Sequence, residues 1–205
     1  MSPSEKRWYI WEYYKYHIVL GAIFAGFLGS IIYTIFINPP KDDYIYIGWN
    51  ASHVNSTQLG VITDYLSVLV YDPDNEEVRL ISYTHGTDPE LNMAINMRMM
   101  AQFTNSNIDI FLTTYENMAQ FYNDNFLFPI SYLMLYLYNY EPDLALLVEE
   151  LAITPDVANS PVGISMENSS ILQEAQISTD GVYLVIMGNS QRRERIPAVI
   201  NMLIR

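Results

Sequence analysis

From Ile18 to Ile37 the chain reads IVLGAIFAGFLGSIIYTIFI, twenty residues without a charge. At 1.5 Å per residue a helix of that length matches the roughly 30 Å hydrocarbon core of a bilayer. A soluble domain made from the rest of this chain could not cover such a helix on all sides. Residues 18–37 therefore read as a transmembrane helix in contact with the lipid bilayer. Trp8-Tyr9-Ile10-Trp11-Glu12-Tyr13-Tyr14-Lys15-Tyr16-His17 precedes it, an aromatic belt whose rings suit the headgroup layer. Lys6, Arg7 and Lys15 lie before the span, and Lys41, Asp42 and Asp43 follow it. The positive-inside bias thus places the N-terminus in the cytoplasm and the C-terminal domain outside the cell, as a single-pass protein of the cell membrane. The apolar run is longer than a signal-peptide core, and Asn38-Pro39-Pro40 offers no small-x-small cleavage pattern, so the anchor is expected to stay attached. Ala22 with Gly26 and Ala25 with Gly29 are small-xxx-small pairs, but no Gly-xxx-Gly pair occurs, so these small residues read as lipid-facing filler ahead of a helix-partner face.

The expected organisation is a short cytoplasmic aromatic and basic segment (1–17), the span (18–37), a proline spacer (38–42) and an extracytoplasmic α/β domain (43–205). The cytoplasmic piece is too short for a catalytic or DNA-binding module, so any signal must pass through a partner. Lys and Arg total 10 against 23 Asp and Glu, a net charge of −13. Nucleic acid is thereby excluded as a partner, because its affinity comes from basic side chains. The segment up to Ile37 holds Lys6, Arg7 and Lys15 against Glu5 and Glu12, so the acidity sits in the outer domain, which should avoid anionic lipid. The absence of cysteine removes disulfides, thiolate metal sites, a thiol nucleophile and the acylated cysteine of a lipoprotein.

Beyond the spacer, apolar strands alternate with helical patterns. Asp43–Trp49 reads as a strand covered on both faces, then Asn55 or Ser56 caps a helix through Leu59, Ile62, Leu66, Leu69 and Val70. Glu77–Tyr83 alternates as a second strand. Asp88 and Pro89 open a helix running to Phe103, whose methionines read as core filler. Ile108–Thr113 is a third strand, a helix follows near Glu116–Tyr122, and Gly181–Gly188 is a buried strand. The last helix buries Ile196, Val199, Ile200, Leu203 and Ile204, with Arg192, Arg193 and Arg195 expected in solvent. Phe126–Tyr140 is apolar but too short, and carries Pro129, so it is not a second span. The fold class expected is a single-lobe α/β domain with a mainly parallel sheet and flanking helices, preceded by one N-terminal transmembrane helix.

Ile108-Asp109-Ile110-Phe111, Asn117, Phe121 and Asn125-Phe126-Leu127-Phe128-Pro129-Ile130 resemble the "Asp-Ile-Phe strand, helix, Phe-x-Pro-Leu" passage of bacterial extracellular solute-binding proteins. Val182–Met187, Asn189-Ser190 and the helix from Arg192 look like the last strand and helix of that family. The likeness covers Tyr44 to Ile130 and Val182 to Ile204 and implies one lobe of such a protein. The chain departs from the pattern by carrying a membrane anchor in place of a lipoprotein cysteine. It is also too short for two lobes closing on a solute. What the resemblance implies is a membrane-tethered single-lobe relative, of a kind found in Gram-positive bacteria.

In open parallel sheets ligands sit beyond the carboxyl ends of the strands. Here that edge would carry Trp49, Asn50 and His53, then Thr84 and His85, then Thr113, Thr114 and Tyr115, whose aromatic and neutral hydrogen-bonding groups suit a sugar or a peptide. No catalytic residue, metal ligand or cofactor is assigned. His17, His53 and His85 share no ligand spacing, and His85, Asp88 and Ser52 come without a nucleophile elbow. Asp72–Glu77 starts like a calcium loop but has Glu77 where the turn needs glycine and reads as a solvated turn. Asn50-Ala51-Ser52, Asn55-Ser56-Thr57 and Asn168-Ser169-Ser170 fit the glycosylation acceptor, which matters only in a eukaryotic secretory pathway. Three functions stay open: a binding or accessory protein engaging a solute, a transporter or another envelope protein; a structural or assembly subunit without a ligand; and an extracytoplasmic enzyme.

Overall fold

The apolar run is part of one long helix. A computed structural model describes residues 2–37, 39–105 and 107–205, and divides the chain into two units, Met1–Lys41 and Asp42–Arg205. In the first, α1 spans Pro3–Ile32 and passes into a π-helical turn at Tyr33–Ile37. Its stretch Trp11–Ile37 is long and apolar enough to cross a membrane, and the span's side chains are exposed within the chain itself. The helix thus begins well before the span, because the aromatic belt contains neither glycine nor proline to end it. Tyr9 and Tyr13 stack one turn apart at 4.9 Å. Pro39–Lys41 is irregular, Asp42 already belongs to the first strand, and Asn38 lies outside the described residues.

The second unit contains β1 (Asp42–Trp49), α2 (Ser56–Ser67), β2 (Glu76–Ser82), α3 (Pro89–Thr104), β3 (Ile110–Thr113) and α4 (Tyr115–Asn123). There follow α5 (Ile130–Tyr140), α6 (Pro142–Leu151), β4 (Ala152–Ile153), β5 (Gly163–Ser165), α7 (Ser170–Glu174), β6 (Tyr183–Ile186) and α8 (Ile196–Leu203). The strands form one sheet in the order β2-β1-β3-β6-β5-β4. Its β2-β1-β3 half is parallel, while β6 runs antiparallel to both β3 and β5, and β4 antiparallel to β5. The α/β lobe with flanking helices is as expected from the sequence, but the sheet is mixed instead of mainly parallel. The reason lies in β6, the last strand in the chain, which enters between β3 and β5 from the opposite end.

Helices cover both faces. Ile45, Ile47 and Trp49 of β1, Ile110 and Leu112 of β3, and Leu184 and Ile186 of β6 point into a core shared with α2, α5, α6, α7 and α8. Tyr46, Phe111 and Val185 point the other way, toward Met99 and Phe103 of α3 and Met118 and Phe121 of α4. This is the period-two alternation of a strand buried on both sides. Phe103, Phe111 and Phe121 meet edge to face, with centroids 5.2–5.6 Å apart, the arrangement that ring quadrupoles favour. Asn55 caps α2 in a reciprocal capping box with Gln58, and Asp88 caps α3 ahead of Pro89. Asp72 and Asn75 form a turn into β2 through an Asn75 Nδ2 to Asp72 Oδ2 bond of 2.8 Å.

Two expectations are corrected here. Met99 is core, but Met93 is 66 % exposed and Met97 is also exposed, because α3 is an outer-layer helix with one covered face. Arg192 and Arg195 are engaged in ion pairs, not solvated, whereas Arg193 is exposed as expected. Arg192 Nη1 donates to Asp109 Oδ2 at 3.0 Å, Arg195 Nη2 pairs with Glu76 at 2.8 Å, and Arg193 lies over the Phe128 ring. The amino ends of the parallel strands carry Asp43, Glu76 and Asp109, and acids held against a sheet edge need partners. Asp109 also accepts from Tyr46 N at 2.9 Å and from Ser190 Oγ at 2.6 Å.

Candidate functional site

At the opposite, carboxyl edge of β1, β2 and β3 the chain gathers neutral polar groups. Asn50 follows β1, donates its N–H to the Leu112 carbonyl at 2.9 Å, and accepts from Thr113 Oγ1 at 2.7 Å through its side chain. Thr113 is the last residue of β3 and is buried, so this side-chain bond satisfies a hydroxyl that has left water. Beyond β2, Thr84 bonds Ser82 through their hydroxyls, and His85 Nε2 lies 2.8 Å from Asn96 Oδ1. Gly86 exchanges two bonds with the Asn92 amide, at 2.8 and 2.9 Å. Asn92, Asn96 and Met99 follow one another at helical spacing along α3. Asn50 Nδ2 reaches Met99 Sδ at 4.0 Å, so one helix face joins the ends of β1 and β2, and Thr113 at the end of β3 is linked to it through Asn50.

The sequence-derived residues divide accordingly. Asn50 and Thr113 touch each other directly, and Thr84 and His85 lie in the loop that α3 holds. Thr114 serves as the cap of α4, accepting from Asn117 N at 3.4 Å. The Tyr115 hydroxyl accepts from Asp156 N at 3.1 Å, and its ring lies 6.1 Å from that of Tyr183. His53 is exposed in the loop after β1. Trp49 is 0 % exposed and turns into the other layer, where its indole N–H donates to the Ser52 carbonyl at 2.9 Å. It offers no ring face at this edge, because side chains alternate and Asn50, not Trp49, points toward α3.

Asn92 and Asn96 were missed by reading the sequence. Their signal was present, since two asparagines at i and i+4 interrupt the inner face of a helix that opens on Asp88-Pro89. The Tyr183 phenol near this edge is held above its ordinary pKa by burial, with Glu167 and Asp180 adding to the effect. Among the described residues no group of acidic, histidine or cysteine side chains is arranged to hold a metal. The site is thus built from amides, hydroxyls, one imidazole and aromatic rims, a set able to hydrogen-bond a neutral polar ligand.

No family model matches the chain, and no curated protein matches it. Solved extracellular solute-binding proteins match it over part of their length. A family 1 extracellular solute-binding protein from Alicyclobacillus acidocaldarius overlaps at a TM-score of 0.34 and 11 % identity, over 62 % of this chain and 28 % of its own. An ABC substrate-binding protein from Listeria monocytogenes, in complex with cycloalternan, gives 0.36 and 13 %, over 68 % and 34 %. A protein with mannotriose bound gives 0.37 and 6 %, over the same shares. The chain spans about a third of the length of these structures. At that overlap the likeness says nothing about a ligand or a role for this chain.

Proposed function

We propose that the chain is a membrane-anchored, non-enzymatic binding protein, with its N-terminus in the cytoplasm and its α/β lobe outside the cell. The observation that carries the reading is the carboxyl edge of β1, β2 and β3, where Thr113 bonds Asn50, Asn50 reaches Met99 of α3, and Asn92 and Asn96 of α3 hold the Thr84–Gly86 loop through Gly86 and His85. The ligand class that suits these groups is a neutral sugar or a short peptide. One lobe encloses less of a ligand than two, so a dissociation constant of about tens of micromolar or weaker is expected.

Isothermal titration of the full chain in phosphatidylcholine nanodiscs, against neutral oligosaccharides and short peptides at millimolar concentration, tests this. Binding that raises the melting temperature by mass action, and that Asn96→Ala weakens at least tenfold, supports it. Panels that leave both heat and melting unchanged would retire it. The reading of a subunit without a ligand would then take its place, supported by the exposed Met93 and Met97 of α3.

A further inference from the structure

The amino edge of the sheet, where the chain enters the lobe at Asp42, carries more than ion pairs. Arg195 Nη1 donates to the Tyr44 carbonyl at 2.9 Å while its Nη2 pairs with Glu76, which fixes the start of α8 at this edge. Facing it is α5, and between the two helices opens a cleft of about 210 Å³. Phe128, Tyr132 and Tyr136 form one wall, and Ile196 and Pro197 the other. Arg193 and Glu194 stand at the mouth, one charge of each sign. α5 itself contains no charged residue. Its Ile130, Leu133 and Leu137 are buried, while Tyr132, Leu135, Tyr136 and Tyr140 share the opposite face, with Leu135 67 % and Tyr140 71 % exposed.

An uncharged, exposed helix face of this kind needs an apolar neighbour. Tyrosine and leucine together are apolar in body and polar only at the ring tips, the composition that settles where headgroups meet acyl chains. The belt ahead of the span uses the same tyrosines. Only residues 38–41 separate the span from β1, a reach of roughly 18 Å when fully extended. A bilayer surface is therefore the apolar phase always within reach of the lobe, and so short a tether raises the effective concentration of a weak contact to the order of millimolar. Charge selects the lipid. Arg193 and Glu194 cancel at the cleft mouth, and Glu141 and Asp143 follow directly on α5, so an anionic surface is disfavoured and a zwitterionic one is not. We propose that the tyrosine and leucine face of α5, with the mouth of the adjoining cleft, rests on the zwitterionic lipid surface of the bilayer that holds the span. The docking rests on the membrane-anchored reading above, and is independent of whether the carboxyl edge takes a solute.

The test uses the full chain in phosphatidylcholine nanodiscs, with a small environment-sensitive dye on single cysteines, since the chain has none of its own. Leu135→Cys reports α5, Met93→Cys the exposed side of α3 on the other layer, and Phe27→Cys the span, all at exposed positions. Phosphatidylcholine spin-labelled near the headgroup should quench the dye of Leu135→Cys at least threefold more than that of Met93→Cys. Adding Tyr132→Asp and Tyr136→Asp should bring Leu135→Cys down to the Met93→Cys level, with an unchanged melting temperature verifying the fold. Equal quenching of Leu135→Cys and Met93→Cys, or quenching that survives both aspartates, overturns the docking. Lipid labelled deep in the acyl chain should quench Phe27→Cys in every case, so a docking failure with Phe27→Cys quenched leaves the anchor standing. A Phe27→Cys dye that deep label leaves untouched would remove the anchor, and the docking with it. If lipid leaves Leu135→Cys alone, and shielding from aqueous iodide grows with the number of chains per disc, a second copy is the occupant and the proposal is overturned.

Discussion

Arg192 holds Asp109 across 83 residues of sequence, its Nη1 donating at 3.0 Å to a carboxylate with no exposed surface. The same carboxylate takes the Tyr46 amide of β1 and the Ser190 hydroxyl. One side chain therefore ties the central strand, its neighbour and the C-terminal segment together at the amino edge of the sheet. Buried charge of this kind is stable only as a complete set.

Removing one member should be costly. Asp109→Ala leaves the Tyr46 N–H, the Ser190 hydroxyl and the Arg192 guanidinium without their acceptor, and about 3–5 kcal/mol of stability should be lost in urea unfolding. Arg192→Ala should lose a similar amount, and the double variant clearly less than the two combined. Strict additivity would show that the two residues act separately.

Asp43 should behave in the opposite sense. Burial raises its carboxyl above the ordinary value of 3.8, against the lowering effect of Arg79 and Arg192. Its Oδ1 lies 3.0 Å from Arg79 Nε yet forms no aligned hydrogen bond. A raised folded-state pKa means that the fold holds this proton more tightly than the unfolded chain does. The stabilisation is full below 3.8 and is lost as pH rises through the folded value. Asp43→Asn should therefore keep or raise the melting temperature at neutral pH, and should flatten its rise as pH is lowered toward that window. A loss above about 1 kcal/mol at neutral pH would show that the ion pairs outweigh burial.

Gly48 and Gly163 make a pair of contrasting substitutions. A Cβ on Gly48 would fall inside the ring of Phe111, its partner across β1 and β3, and the ring is locked among other aromatics. Gly48→Ala should cost about 1–3 kcal/mol through overpacking. At Gly163 the obstacle is the sulfur of Met118, the mobile end of a flexible side chain. Gly163→Ala should cost less, and thermal melts that rank them the other way would contradict the packing described.

Topology can be read with cysteines, since the chain has none of its own. Tyr71→Cys is the external reporter, because Tyr71 is 95 % exposed, and Ser4→Cys is the internal one. An impermeant maleimide applied to intact cells should label Tyr71→Cys and spare Ser4→Cys. The reverse pattern would invert the proposed orientation.

The strands and helices of the first half were legible because each announces itself locally. Asn55 and Asp88 cap their helices through side chains whose preference is intrinsic, and Asp43–Trp49 is apolar along its length. The direction of β6 was not legible, since Gly181–Gly188 reads equally well either way along the sheet and only its long-range pairing with β3 decides. Arg192 and Arg195 were misread for the same reason. Nothing in Arg192-Arg193-Glu194-Arg195 reveals that the acids awaiting them lie at Asp43, Glu76 and Asp109. At the candidate site the loops follow from the ends of the strands, but alternation sends Trp49 into one layer and Asn50 into the other. A one-residue difference in direction thus separates a core tryptophan from a residue facing α3.

The place of β6 also sets an order of events during synthesis. Chains are made from the N-terminus, so β1, β2 and β3 leave the ribosome with the far edge of β3 unpaired, an open template for misassociation. That edge stays bare, and the Asp109 carboxylate lacks its cation, until β6 and Arg192 have followed. Closing so long a loop makes this contact one of the slower ones to form. The nascent lobe therefore spends most of its synthesis unable to complete its central sheet, which is the interval in which a chaperone holding the β3 edge would matter most.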